Sequence, residues 1–171
     1  MNPHYRTFPE GHNSASLFGG GGAMIRAMKK MPTIKAVMTP FPYSVDAGAS
    51  VADAQAFMRE HRIRHLPVTQ GGELVGSVSD RDIKLILGPD FANPDEHETL
   101  VAHAMVKDAY VVDMDARLDD VLAHMADHHL GSAIVTRRGK LAGIFTVTDA
   151  CRHFADFLRE QVRRSGGDDA A

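Results

Sequence analysis

The sequence predicts an α+β fold made of two copies of one βαββα unit, packed together through their sheets. Three observations lead there. Displacing the chain by 67 residues lays 34–87 onto 101–154 without a gap, and internal repetition of that kind is the strongest organisational signal a sequence offers. Within each copy the apolar period changes from helical to strand-like in the same order. Each copy has about 55 residues, too few to bury a sufficient core alone, so two must share one.

The repeat is carried by identities in step: Met38/Met105, Tyr43/Tyr110, Val45/Val112, Asp53/Asp120, Met58/Met125, His61/His128, Val68/Val135, Gly72/Gly139, Gly76/Gly143 and Asp82/Asp149. After a short first strand, Ser50-Val-Ala-Asp53 reads as a helix start, with Val51, Ala54 and Met58 on one face. Leu118, Val121, Leu122 and Met125 repeat that face. Strands follow at 64–69 and 74–79, joined by Gly71-Gly72, and at 132–136 and 141–145, joined by Arg138-Gly139. Closing helices are predicted over 81–87 and 147–158. The expected organisation is a flexible segment 1–32, a first repeat 33–88, a Pro/Asp/Gly-rich linker 89–100, a second repeat 101–158 and a tail 159–171.

Bulk properties narrow the function. The 171 residues are 44% hydrophobic and 24% charged, with a formal net charge of −3 and a pI near 6.3. That balance gives no electrostatic reason to expect nucleic acid or an anionic membrane as partner. Cys151 is the single cysteine, which excludes an intramolecular disulfide and a multi-cysteine zinc site. No apolar run is long enough to span a bilayer or resembles a signal sequence, so the expected address is the cytoplasm. No P-loop, GxGxxG, HExxH or nucleophile elbow is present, and no residue set is assigned as catalytic.

One motif occurs twice at strand-to-helix junctions: Ser79-Asp-Arg-Asp82 and Thr146-Val-Thr-Asp149. Two readings stand. The hydroxyl and carboxylate form a capping box at a helix start. Alternatively, the carboxylate accepts hydrogen bonds from two ribose hydroxyls, beside a helix terminus suited to phosphate. Neither group has a base beside it that would make it a nucleophile.

Val37-Met-Thr-Pro40, Ile63-Arg-His-Leu-Pro-Val68, Leu74-Val-Gly76 and Ser79-Asp-Arg-Asp82 together resemble a cystathionine-β-synthase-type (CBS) domain. Met105, Leu130-Gly-Ser-Ala-Ile-Val135, Leu141-Ala-Gly143 and Thr146-Val-Thr-Asp149 resemble it more loosely. The resemblance covers about 33–158 and implies two repeats related by a pseudo-two-fold axis, with two composite clefts that take AMP, ADP, ATP or another adenosyl ligand. It also implies a homodimer. One cleft would combine Thr146 and Asp149 with Tyr43, Ile63, Arg64 and His65. The other would combine Ser79 and Asp82 with Tyr110, Leu130, Gly131 and Ser132, with Arg81 able to swing in. The Asp149 cleft is expected to be the better site, because an Arg64–phosphate pair is charge-assisted; the plain alternative for Arg64 is a solvated strand residue. The second repeat departs from the pattern, with Ala133-Ile-Val135 in place of Leu-Pro-Val and Met105-Val-Lys107 in place of Met-Thr-Pro.

The implied role is a regulatory module with AMP as leading ligand, signalling to a separate, unidentified effector protein. The alternative is a ligand-free module that dimerises through helix faces. A metal-dependent hydrolase built on His124 and His128, four apart on one helix and close to His129 and Asp127, is a weaker rival. The match of His128 to His61 favours a shared structural role near the helix end. No metal ligand is assigned.

Overall fold

A computed structural model describes residues 5–6, 31–88 and 95–165. Residues 24–30 of the basic stretch 24–31, which carries Met24, Met28 and Met31, the first half of the linker (89–94) and the tail beyond Ser165 lie outside the described residues. The strands are β1 (Tyr5–Arg6), β2 (Thr39–Pro40), β3 (Ser44–Asp46), β4 (His65–Gln70), β5 (Glu73–Ser79), β6 (Val111–Asp113), β7 (Ser132–Arg137) and β8 (Lys140–Thr146). The helices are α1 (Val51–Glu60), α2 (Asp80–Leu87), α3 (Val101–Ala104), α4 (Leu118–Asp127) and α5 (Val147–Ser165).

Two four-stranded sheets form, ordered β1-β3-β4-β5 and β2-β8-β7-β6. In each, a short strand runs parallel to the first strand of a hairpin: β3 beside β4, β6 beside β7. A helix covers each parallel crossover. Pro67 is tolerated in β4 because the β3 ladder begins at Val68, so its missing N–H breaks no bond on that side. The hairpin turns hold Gly71-Gly72 (φ 58° and 91°) and Arg138-Gly139 (φ 52° and 75°), the two consecutive left-handed residues that a tight type I′ connection needs. The βαββα repetition is therefore present twice, and the sheets meet along β5 and β8.

The packing units do not coincide with the sequence units. β2, from the lead segment of the first repeat, pairs with β8 of the second, Thr39 opposite Ile144. Val106, its counterpart, bridges to Ser77 of the first repeat. The exchange continues upstream. Ile34 donates its N–H to Ala116 O at 2.9 Å, and Val101 donates to Ala49 O at 2.8 Å. Leu118 donates to Pro32 O at 3.0 Å and Val51 to Thr99 O at 2.8 Å, so a carbonyl immediately ahead of the other repeat satisfies a helix-start N–H that has no intrahelical partner. This explains why α4 forms with Arg117 as N-cap and no side-chain cap. The cores follow the same exchange: Val101 is buried with Val45, Val51, Leu66 and Ile83. Ile34 and Val37 are buried with Val121, Met125, Ala133 and Phe145.

Two glycines make the crossings passable. A Cβ on Gly76 would stand 2.5 Å from Val106 O, and one on Gly143 would run into Met38 Sδ and stand 3.1 Å from Thr39 O. Both helices that precede the hairpins end alike. Ile63 donates to Met58 O and Leu130 to Met125 O, each at 2.9 Å, with Arg62 (φ 54°) and His129 (φ 55°) left-handed between. This is the Schellman arrangement, normally given to glycine.

One element is longer than the sequence suggested. The closing helix continues past residue 158 to Ser165. Ion pairs of Arg159 with Asp156 and of Arg163 and Arg164 with Glu160 brace the added turns, and no breaker precedes Gly166.

Candidate functional site

The two Ser/Thr-x-x-Asp junctions form where β5 enters α2 and where β8 enters α5. Ser79 donates its N–H (2.8 Å) and its hydroxyl (2.6 Å) to Asp82 Oδ2, while Asp82 N–H donates to Ser79 Oγ at 3.2 Å. Thr146 and Asp149 repeat the geometry at 3.0, 2.7 and 3.2 Å. Both motifs are thus built as capping boxes, the plainer of the two sequence readings. The second reading is not displaced by it, because one carboxylate oxygen carries the whole box in each case. At Asp149 the other oxygen, Oδ1, accepts from Arg152 at 3.1 Å. At Asp82 no matching second bond forms among the described residues, since Leu85 occupies the position of Arg152. The Asp149 side chain is 15% exposed, within reach of a solute yet sheltered.

His65 is the residue that ties the repeats together at this point. In the β4–β5 ladder it lies opposite Ser79, as Ser132 lies opposite Thr146 in β7–β8. Its ring crosses to the second repeat and rests against Gly131, where an added Cβ would stand 2.6 Å from Nε2. Burial holds the imidazole below its ordinary pKa; the Asp82 carboxylate works against that lowering and the Arg64 guanidinium adds to it. The sequence grouped His65 with Thr146 and Asp149; in the structure it lies opposite Ser79 and against Gly131, whose carbonyl accepts the Val147 N–H of the second junction.

The remaining candidates are placed as follows. Tyr43 packs edge-on against Phe57 and at 4.4 Å against His61. Tyr110 stacks on His124 at 4.2 Å, and His124 on His128 at 4.0 Å, so the histidine pair continues an aromatic stack that both repeats possess. Burial first, and then Asp120, raise the Tyr110 phenol above its ordinary value. Among the described residues neither tyrosine is hydrogen-bonded to a junction, and no three His, Cys, Asp or Glu side chains are placed to hold a metal. Ile63 and Leu130 are half-buried against their respective cores. Arg81 is exposed at the start of α2. Arg64 and Gly131 act through their backbones: their carbonyls accept the N–H groups of Asp80 (3.0 Å) and Val147 (3.1 Å), the residues that follow the junction hydroxyls.

Sequence reasoning missed two features. Arg152 holds Asp149, a pairing that the i,i+3 spacing on a helix would have disclosed. A groove of about 590 Å³ also lies between the end of α1, the start of β4 and α2, and its charged lining is Arg59, Arg62, Arg64, Lys84, Asp80 and Glu96. The run of arginines at 59, 62 and 64 was its only linear trace. Among the described residues no helix is long and apolar enough to cross a membrane.

Comparison with known proteins agrees with this architecture. The CBS domain profile matches residues 34–88 and 101–156. The chain is 33% identical over 139 residues to the uncharacterized protein YlbB of Bacillus subtilis, covering 80% of this chain and 88% of that one. Its fold is similar to a putative acetoin utilization protein, AcuB, of Vibrio cholerae, with TM-score 0.68, 26% identity, and coverage of 78% of this chain and 98% of that one. It is also similar to CBSX2, solved in complex with AMP, with TM-score 0.62, 25% identity, and coverage of 72% and 97%. With two matched repeats, two exchanged lead segments and two capped junctions, the chain belongs to the CBS domain family as a tandem pair.

Proposed function

We propose that this CBS pair is a cytoplasmic regulatory module that binds an adenine nucleotide, AMP first among them, between its repeats. In this reading it acts as a homodimer, relays occupancy to a separate effector protein and catalyses nothing itself. The observation that carries the reading is the junction geometry. Each Asp caps its helix through one oxygen, which leaves the carboxylate fixed in direction, and a fixed carboxylate can accept from a ribose hydroxyl at little entropic cost. The AMP complex of the similar CBSX2 supports the ligand class. The clefts are unequal: Asp149 brings Arg152 with it, while Leu85 stands at the matching place beside Asp82. An arginine pairs with phosphate as a fixed charge, which a leucine cannot do. The cleft of Thr146 and Asp149, with Tyr43, Ile63, Arg64 and His65, is therefore assigned the higher affinity. Ser79, Asp82, Tyr110, Leu130, Gly131 and Ser132, with Arg81 at the start of α2, form the weaker one.

Binding must act through differential affinity for two arrangements of the repeats, since a ligand that binds both equally shifts nothing. Titration calorimetry of AMP, ADP, ATP, NAD and S-adenosylmethionine into wild type, Asp149→Ala and Asp82→Ala tests the reading. Saturable binding that is lost chiefly in Asp149→Ala is the expected result. A folded chain that binds none of them refutes it. That outcome would favour a ligand-free dimerisation module, a second reading supported by the exposed apolar side chains of Val147, Phe154 and Leu158 along α5.

A further inference from the structure

The arginine groove is not explained by the clefts. Its floor is Met58 and Ile63, and its walls carry four cations against two carboxylates. Lys84 is already paired with Asp80 at 2.6 Å, and the contact of Glu96 is with His97 at 3.8 Å. Among the described residues Arg59, Arg62 and Arg64 form no ion pair, so the lining holds two net positive charges on a chain whose own net charge is −3. Like charges gathered in a concavity repel, and an anion relieves that repulsion.

Two further observations indicate that the charge is specific to this groove. The common fold does not require it: at the matching positions the second repeat has Ala126, His129, Gly131 and Cys151 where the first has Arg59, Arg62, Arg64 and Lys84. Arg62 shares its left-handed backbone with His129, φ 54° and 55°, so the repeats differ there in side-chain charge and not in backbone.

We infer that this groove is an anion site for a small molecule carrying two or more phosphate charges. Guanidinium groups offer paired donors that match phosphate oxygens, and the volume lies within the range of small-molecule sites. The apolar floor suits an organic portion of the ligand. The site adjoins the first junction, since Arg64 O accepts the N–H of Asp80, yet Arg59 and Arg62 belong to the groove alone. Ile63 and Arg64 are shared with the proposed Asp149 cleft, and to that extent the inference rests on that reading; Arg59 and Arg62 are not shared, and their substitution separates the two.

The test is calorimetric titration of inorganic pyrophosphate into the full chain, into Arg59→Gln/Arg62→Gln and into Asp82→Asn/Asp149→Asn. Expected is saturable binding, one per chain, weakened by about tenfold or more in the arginine variant and unchanged in the aspartate variant. Affinity should fall as salt rises. An unchanged urea midpoint in the arginine variant shows that the fold is intact. The inference is overturned by no saturable binding, by equal affinity in the arginine variant, by loss in the aspartate variant, or by a hexaglutamate peptide binding more tightly than pyrophosphate. If wild type binds pyrophosphate but not AMP, the clefts' reading fails and the groove stands.

Discussion

Alanine at Gly76 should damage this fold far more than alanine at Gly143, although the two glycines occupy the same place in the repeat. At Gly76 the new methyl would stand 2.5 Å from Val106 O and 3.3 Å from Val106 C, both backbone atoms. Ordinary contact requires the crossing segment to retreat by roughly 1 Å. That segment is held by Val106 N–H to Ser77 O at 2.8 Å and Ser77 N–H to Val106 O at 3.1 Å. Losing both bonds costs about 2 kcal/mol, and residual overpacking about 1–2 kcal/mol more. Restricting the unfolded chain returns about 0.5 kcal/mol, which leaves a loss of about 3 kcal/mol. At Gly143 the nearest atom is Met38 Sδ, part of a flexible side chain that can turn aside, while Thr39 O at 3.1 Å asks for a shift of a few tenths of an ångström. A loss of about 1 kcal/mol follows. Urea unfolding of both variants, with unchanged m-values, measures the difference. Equal losses, or a larger one at Gly143, would refute the argument that the crossing backbone sets the requirement.

Other expected outcomes come from local geometry. Arg62→Gly and His129→Gly each relieve a left-handed side chain and should raise stability by about 1 kcal/mol in urea; a loss at both positions would show that their side chains pack more strongly than the backbone strains. Ser79→Ala and Thr146→Ala remove the hydroxyl half of a capping box and should each cost about 1 kcal/mol without any ligand. The pKa of His65 is lower folded than unfolded, chiefly through burial, so near and below pH 6.5 the unfolded chain binds more protons. Its contribution to stability is complete above that pH and declines as pH falls toward the folded value. Wild type should therefore lose more stability than His65→Gln between pH 7.5 and 5.5; parallel losses would assign the dependence to other groups.

Much of this molecule is determined by local pattern, and that part is legible in the sequence. The helical face of Val51, Ala54 and Met58, the Gly71-Gly72 turn and the two Ser/Thr-x-x-Asp junctions depend on residues within a few positions of each other, and the 67-residue repeat sets the same patterns down twice. Such interactions leave a periodic trace along the chain. What the trace cannot hold is which repeat a segment packs against. Ile34 and Val101 are apolar and in register whether they fold onto their own unit or the other, so self-similarity is blind to the exchange. Only tertiary packing showed that Ile34 is buried with Phe145 and Val101 with Leu66, and that Gly76 and Gly143 are the points where backbone crosses. The same holds for His65, whose sequence context fixes its strand but not the neighbour it touches. Its contact with Gly131, and the gathering of Arg59, Arg62, Arg64 and Lys84 around one groove, arise from elements brought together across space. Local spacing sets the elements, and long-range packing decides which charges and surfaces those elements share.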